Sequence, residues 1–334
     1  MSKKVLILGA TGAMGKYLTP YLVEAGYYVD AVSLVDKESD VPNLRYIKGD
    51  VKDFNFLLPL LERNYDGIID FMLYPTQDLL SYLPVLVSHT GHYFYLSSYR
   101  VYDDKEHPIR ETSPRLLDTA DNIHVRNSDD YCVYKARGEN IIRTFPKDRW
   151  TIIRPSITYS VHRYQLVTLE AADTVGRAMS KKKAVLPEQA RNIQGTMTWA
   201  GDVARMIEKL LFNEKALGET FNVCTSEHHT WGEIADYYKE ICDLNVVWVD
   251  KEDYIRIMSS NTPHSCAARW QLEYDRLFNR IMDNTKVLAA TGMKQEELMP
   301  LYDGLKQEIA RGPKDYWPWW KIRTAMDEYL AAKK

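Results

Sequence analysis

Read along the first half of the chain, short apolar runs alternate with segments whose apolar residues recur at helical spacing. The runs "KKVLILG", "YYVDAVSL", "LRYIKGD", "DGIIDFML" and "YFYLSS" are separated by "MGKYLTPYLVEAG", "FNFLLPLLER" and "LLSYLPVLVSHT". Near-continuous apolar strands interleaved with amphipathic helices predict a parallel sheet covered by helices on both faces. A sixth strand, "WTIIRP", closes this block, and "DVARMIEKLLFNE", "ETFNVC" and "TWGEIADYYKEIC" resume the alternation further on. Residues 103–130 show no period and are rich in Pro, Asp, Arg and Thr, so they read as one long loop. The fold class expected is α/β: a Rossmann-like, doubly wound parallel sheet with a smaller C-terminal substrate lobe. The division places a cofactor domain at residues 1–160, with return segments near 196–224, and a substrate lobe and tail at 161–334.

Composition narrows the class. The chain has 334 residues, 45% of them hydrophobic, enough for a core of that size. The net charge of −3 and the interspersed Lys/Arg leave no electrostatic footprint for nucleic acid. The only basic run, Lys181 to Lys183, follows the helical-looking "LEAADTVGRAMS" and reads as a solvated helix end. Four cysteines without CxxC spacing suggest neither a zinc site nor a disulfide framework, and a reducing cytoplasm fits them. The adjacent His228 and His229 do not converge on a metal, and no metal is expected. No stretch approaches the roughly 20 apolar residues of a membrane span, so no membrane partner is expected. The initial "MSKKVLILGATG" has too short an apolar run for a signal peptide and reads as a buried strand.

Two motifs carry chemistry. "GATGAMG" (Gly9, Thr11, Gly12, Ala13, Met14, Gly15) directly follows the first strand and opens a helix. Small residues there allow the tight turn and let a pyrophosphate approach the backbone at a helix N-terminus, which predicts a bound dinucleotide. The carboxylate usual for the adenosine ribose is missing: Ser33 ends the second strand, with Asp36 and Lys37 just beyond. NAD is the expected cofactor, with NADP left open. Asp50 and Val51 after the third strand are placed near the adenine. The second motif is Tyr131 and Lys135, four apart in "DDYCVYKARGENI", on one face of a helix. A fixed cation beside a phenol favours its ionised form and suits the pair to acid/base work. The same spacing recurs at Tyr302 and Lys306, so spacing alone does not establish a site.

The glycine turn, the "GD" after the third strand, "YLSSYRVY" on the fifth and "YCVYK" on the next helix occur in an order that resembles the extended short-chain dehydrogenase/reductase family, in its NAD-dependent epimerase/dehydratase group. "HPIRETSP" and "TIIRPSITYS" are similar to two further stretches of that family, and the resemblance covers roughly residues 3–290. It implies that Tyr131 shuttles the proton of a sugar-like hydroxyl, that Lys135 lowers the tyrosine pKa and binds the nicotinamide ribose, and that Ser98 orients the same hydroxyl. Phe71, Met72 and Leu73 after the fourth strand and Pro155 after the sixth complete the cofactor set.

Three departures from the family pattern matter. The stretch from "IIDFMLY" to Ser98 holds no asparagine to support a relay. Tyr99 and Arg100 follow Ser98 where sugar dehydratases carry Asp-Glu, which argues against 4,6-dehydration. Gly195 stands about where epimerases place an arginine for the nucleotide diphosphate, leaving Arg191, Arg276 and Arg280 as substitutes. The substrate-side candidates are thus Ser98, Tyr99, Arg100, Arg191, Arg276 and Arg280. The function implied is a nucleotide-sugar epimerase of the 4-epimerase type, acting on a small-molecule substrate, in a homodimer. Alternatives are a reductase or dehydrogenase of a sugar-like carbonyl, and a non-catalytic RNA-binding or redox-sensing relative. Trp317, Trp319 and Trp320 near the C-terminus are expected to pack on the body of the protein or a second subunit.

Overall fold

The computed structural model describes residues 2–260, 265–312 and 323–333. The tail tryptophans Trp317, Trp319 and Trp320 lie outside them. Seven parallel strands form the central sheet: β1 (Lys4–Leu8), β2 (Tyr28–Ser33), β3 (Leu44–Lys48), β4 (Tyr65–Asp70), β5 (Thr90–Leu96), β6 (Trp150–Ile153) and β7 (Glu219–Phe221). Their order is β7-β6-β5-β4-β1-β2-β3. Side chains of a strand alternate between faces, so the run "VLIL" serves two cores at once. Val5 and Ile7 pack with helices α1 (Gly15–Glu24) and α5 (Ala200–Leu210), while Leu6 and Leu8 pack with α2 (Phe54–Leu61) and α3 (Thr76–Ser88). This is why strands read as unbroken apolar runs.

The order makes the chain leave β1 in one direction for β2 and β3 and in the other from β4 onward, opening a crevice beyond the strand ends. The ends come level there: Leu8 pairs with Val32 and Asp70, Ser33 with Lys48, and Asp70 with Tyr95. α4 (Tyr131–Ile142) packs on the α3 side through Ile142, and Gly138 lets it close onto β5, since an added methyl would meet the Tyr95 hydroxyl.

Another buried cluster joins Tyr99, Val101, Tyr102 and Ile109 to Tyr164, Leu186, Trp231, Tyr238, Tyr254 and Leu272 of the C-terminal part. There helix α6 (Trp231–Cys242) starts with a reciprocal cap between Thr230 and Glu233 and ends on left-handed Asp243. The expected helix in "LEAADTVGRAMS" is shorter than its pattern suggested, running over Val175–Met179, and Lys181 takes a left-handed turn just beyond it. The long loop 103–130 holds two short helices, Leu116–Thr119 and Ile123–Arg126, each about one turn and so without a visible period. It is tied down where Asn222 donates to Ile109 O at 3.2 Å and accepts from the Tyr102 hydroxyl at 2.6 Å. No helix among the described residues is long and apolar enough to cross a membrane.

Candidate active site

The turn after β1 is shaped by close backbone approach. Gly9 has φ +83°, and a side chain at Gly15 would lie 2.5 Å from Ala10 O. Met14 at the N-cap of α1 makes no side-chain cap bond; Lys16 N and Tyr17 N donate to Gly12 O at 3.2 Å and Met14 O at 3.1 Å, and the helix N-terminus faces the turn where an anion would be favoured. Thr11, Gly12, Ala13, Met14 and Gly15 line one part of a cavity of about 640 Å³. Ser33, Asp50 and Val51 line it at the ends of β2 and β3, Phe71, Met72 and Leu73 beyond β4, and Pro155 beyond β6. The uncapped helix, the glycine cradle and a continuous trough across the strand ends fit an NAD molecule.

Ser33 is the last residue of β2, but its hydroxyl is already engaged locally. It donates to Val35 O at 2.9 Å and accepts from Val35 N at 3.2 Å. The flanking cavity wall is apolar, formed by Val32, Leu34 and Val35.

Tyr131 is the first residue of α4, whose N-cap Asp130 accepts from Cys132 N at 3.1 Å. Ser98 follows β5 and starts a single tight turn, Tyr99–Val101. Its hydroxyl accepts from Arg100 N at 3.2 Å. Both side chains line the cavity. Burial raises the phenol above its ordinary value, opposed chiefly by the Arg100 guanidinium, then by the Ser98 hydroxyl and Arg163.

Lys135 stands one turn after Tyr131, its ammonium 5.8 Å from the Tyr131 ring centroid. It is only 1% exposed and off the cavity wall; its ammonium donates to Leu96 O at 2.6 Å and reaches Met72 O at 3.5 Å. Burial brings it down to about 8, with Asp70 and Glu139 pulling the other way. The i, i+4 relation fixes where Cβ atoms point, while four further bonds decide where an ammonium ends. In the other such pair, Lys306 lies over the Tyr302 ring at 5.7 Å and Tyr302 donates to Glu240, away from the cavity.

The arginines divide. Arg100 and Arg276 line the cavity together with Tyr99. Arg276 donates to the Tyr99 hydroxyl at 2.5 Å and to Val167 O at 2.6 Å, and it pairs with Asp275. Arg280 lies behind the wall, bonded to Asp275 at 3.2 Å and Tyr102 O at 3.1 Å, as a support for that cluster. Arg191 is exposed, near Glu188 and Trp248, away from the cavity. Lining residues that the sequence did not single out are Arg163, Gln165, Glu170 and Gln271, with Ser156 and Thr158 beyond the Arg-Pro strand. No local motif marks the first four; the last two fall inside "TIIRPSITYS".

The sequence profile of the NAD dependent epimerase/dehydratase family matches residues 5–224. Among curated proteins no sequence match was found. The fold is similar to an epimerase from Methanothermobacter thermautotrophicus (TM-score 0.69, 17% identity, 100% of this chain and 95% of that one). It is also similar to UDP-glucuronic acid 4-epimerase from Bacillus cereus in complex with UDP-glucuronic acid and NAD (TM-score 0.67, 15% identity, 92% and 98%). A third is UDP-glucose 4-epimerase from Thermus thermophilus in complex with NAD (TM-score 0.67, 16% identity, 92% and 98%). At these identities the likeness is one of fold; the profile, covering most of the chain and including the glycine turn, Ser98, Tyr131 and Lys135, carries the assignment. The chain belongs to the NAD dependent epimerase/dehydratase family, a family of NAD-dependent enzymes.

Proposed function

We propose that the protein is a nucleotide-sugar epimerase of the 4-epimerase type. The observation that carries this reading is one cavity whose lining includes the glycine turn, Ser98, Tyr131, Arg163 and Arg276. Its first part suits a dinucleotide, its middle a sugar hydroxyl, and its far end an anionic group such as a diphosphate. Two solved 4-epimerases of the same fold, one with UDP-glucuronic acid and NAD and one with NAD, support the substrate class.

In this reading NAD, when bound, supplies the hydride acceptor and donor. The chain supplies position and proton transfer. Tyr131 Oη takes the proton of the reacting hydroxyl and returns it, a task worth about 10²–10⁴-fold in rate. Ser98 holds that hydroxyl against the phenol. Lys135, whose ammonium bonds Leu96 O and reaches Met72 O, would lower the tyrosine pKa and bind the nicotinamide ribose. Residues 1–160 with 196–224 form the cofactor part and 161–334 mainly the substrate part. The uncharged Ser33 gives weak discrimination between NAD and NADP, with NAD preferred. A homodimer belongs to this reading and is read directly by light scattering.

The experiment is incubation of the purified protein with UDP-glucose and UDP-glucuronic acid without added dinucleotide. Repeated interconversion of C4 epimers supports the epimerase. Turnover only on addition of NAD or NADP, with one NADH or NADPH formed for each sugar hydroxyl oxidised, identifies instead a dehydrogenase, whose reverse reaction is the reduction of a sugar-like carbonyl and which the same residues would serve.

A further inference from the structure

The substrate end of the cavity carries charges of both signs, and they are committed to different degrees. Arg100 stands 3.3 Å from Asp130 and 3.3 Å from Asp275, and Arg276 and Arg280 pair with the same Asp275. Three guanidinium groups thus share two carboxylates. Two other lining residues, Arg163 and Glu170, form no ion pair among the described residues. Glu170 Oε1 accepts from the Gln165 amide, whose oxygen accepts from Arg276 at 3.4 Å. That amide stands between acid and cation, and its orientation is set by both. Among the described residues no other group donates to the Glu170 carboxylate. The backbone behind it is held in place: Glu170 O accepts from Asp173 N at 2.9 Å and Thr174 N at 3.1 Å, between the buried Leu169 and Ala171. The other lining carboxylate, Asp50, follows β3 at the adenosine end.

We propose that Glu170 is a specificity-determining residue, which accepts from a sugar hydroxyl and limits the substrate to nucleotide sugars whose sugar carries no negative charge. The inference rests on, and narrows, the reading of the cavity as a nucleotide-sugar site. An ionised carboxylate only accepts hydrogen bonds and has room for several, and here the protein supplies one. The hydroxyls of a neutral hexose supply further donors. A sugar carboxylate supplies none and brings a like charge against Glu170 in a space that the ligand itself partly desolvates. Arg163, the uncommitted cation, is left for the diphosphate, a group that UDP-glucose and UDP-glucuronic acid share and that cannot tell them apart. Discrimination at the sugar therefore falls to the acid, through repulsion of the wrong substrate as well as attraction of the right one.

The test is calorimetric binding of UDP-glucose, UDP-glucuronic acid and UDP to the full chain with NAD bound, at neutral pH. Wild type should bind UDP-glucose at least about tenfold more tightly than UDP-glucuronic acid. Glu170→Gln should shrink that ratio about fivefold or more, chiefly by tightening UDP-glucuronic acid, while Glu170→Asp should keep most of it. UDP alone should bind all three proteins within about twofold, because the change lies at the sugar. A smaller preference in wild type overturns the proposal, and so does a ratio unmoved in Glu170→Gln or no binding of either sugar. Tighter UDP-glucuronic acid in wild type would show that the surplus charge of the arginine cluster, and not Glu170, meets the sugar. Should Glu170→Gln not fold, the wild-type ratio decides alone against the same tenfold mark. Binding needs no turnover, so a protein that binds as expected yet interconverts no epimers leaves this result intact while the epimerase reading fails.

Discussion

Glu139 receives the Arg154 guanidinium on both carboxylate oxygens, at 2.6 Å each, at the back of the helix whose first residue is Tyr131. Ser97 donates to the same carboxylate at 2.5 Å, so one buried acid joins α4, the end of β6 and the residue beside Ser98. The relation between Ser98 and Tyr131 is set from behind. Burial alone would raise this carboxyl, but Arg154, Arg143 and Ser97 overcome it and hold it down to about 2. Its stabilising effect is therefore present above the ordinary carboxylate value and lost as pH falls toward 2.

Glu139→Gln leaves the fully buried Arg154 without its counter-charge. We expect a loss of about 3–5 kcal/mol in denaturant unfolding. A loss below about 1 kcal/mol would show that the pair is not what holds the helix to the sheet.

His92 gives the fold an acid-sensitive point. Thr151 donates its hydroxyl to Ala216 O at 2.6 Å, so it accepts from His92 Nε2 at 2.8 Å, while His92 Nδ1 accepts from Phe212 N at 3.1 Å. Both ring nitrogens are committed to the neutral form, and burial lowers the pKa to about 4. The unfolded chain binds a proton that the folded one refuses, so stability falls as pH drops from about 6.5 to 4, by roughly 3 kcal/mol over that window. Unfolding curves of wild type and His92→Gln, compared across this range, should diverge by that amount; parallel curves would count against the assignment.

At the adenosine end, Ser33→Asp brings a carboxylate to the end of β2, beside the apolar Val32, Leu34 and Val35 and in the same cavity wall as Asp50. NADP binding should weaken by several kcal/mol, because a phosphate dianion would meet a like charge in a partly desolvated site, while NAD binding holds or improves. Titration of both dinucleotides against wild type and variant reads the change. Unaltered NADP affinity would place the ribose away from Ser33.

What the sequence made legible was local. The apolar runs of β1 to β6, the turn from Gly9 to Gly15 and the order of Ser98 before Tyr131 depend on neighbours a few residues apart. What it left hidden depends on distant partners. Asp275 and Arg276 sit on a wide turn, Leu272–Arg276, interrupted at Tyr274, whose φ of −108° leaves helical geometry, and they reach Tyr99 and Arg100 only through the tertiary fold. Glu139 looks like an ordinary helical glutamate until Arg154 is brought behind it. Arg191 was one of three substitutes for the arginine whose place Gly195 takes, and its side chain is exposed. Lys135 stands one turn after Tyr131 on α4, and its contacts with the carbonyls of Leu96 and Met72 come from strands distant in sequence.

The most direct test of the central claim is the epimerisation rate of Tyr131→Phe, measured beside its content of bound NAD. The variant loses one hydroxyl from a site whose cofactor is held mainly by the glycine turn and the strand ends, so dinucleotide content should stay near that of wild type while the rate falls about 10²–10⁴-fold. A variant that keeps more than about a tenth of the wild-type rate with NAD bound would contradict the assignment of Tyr131 as the proton carrier.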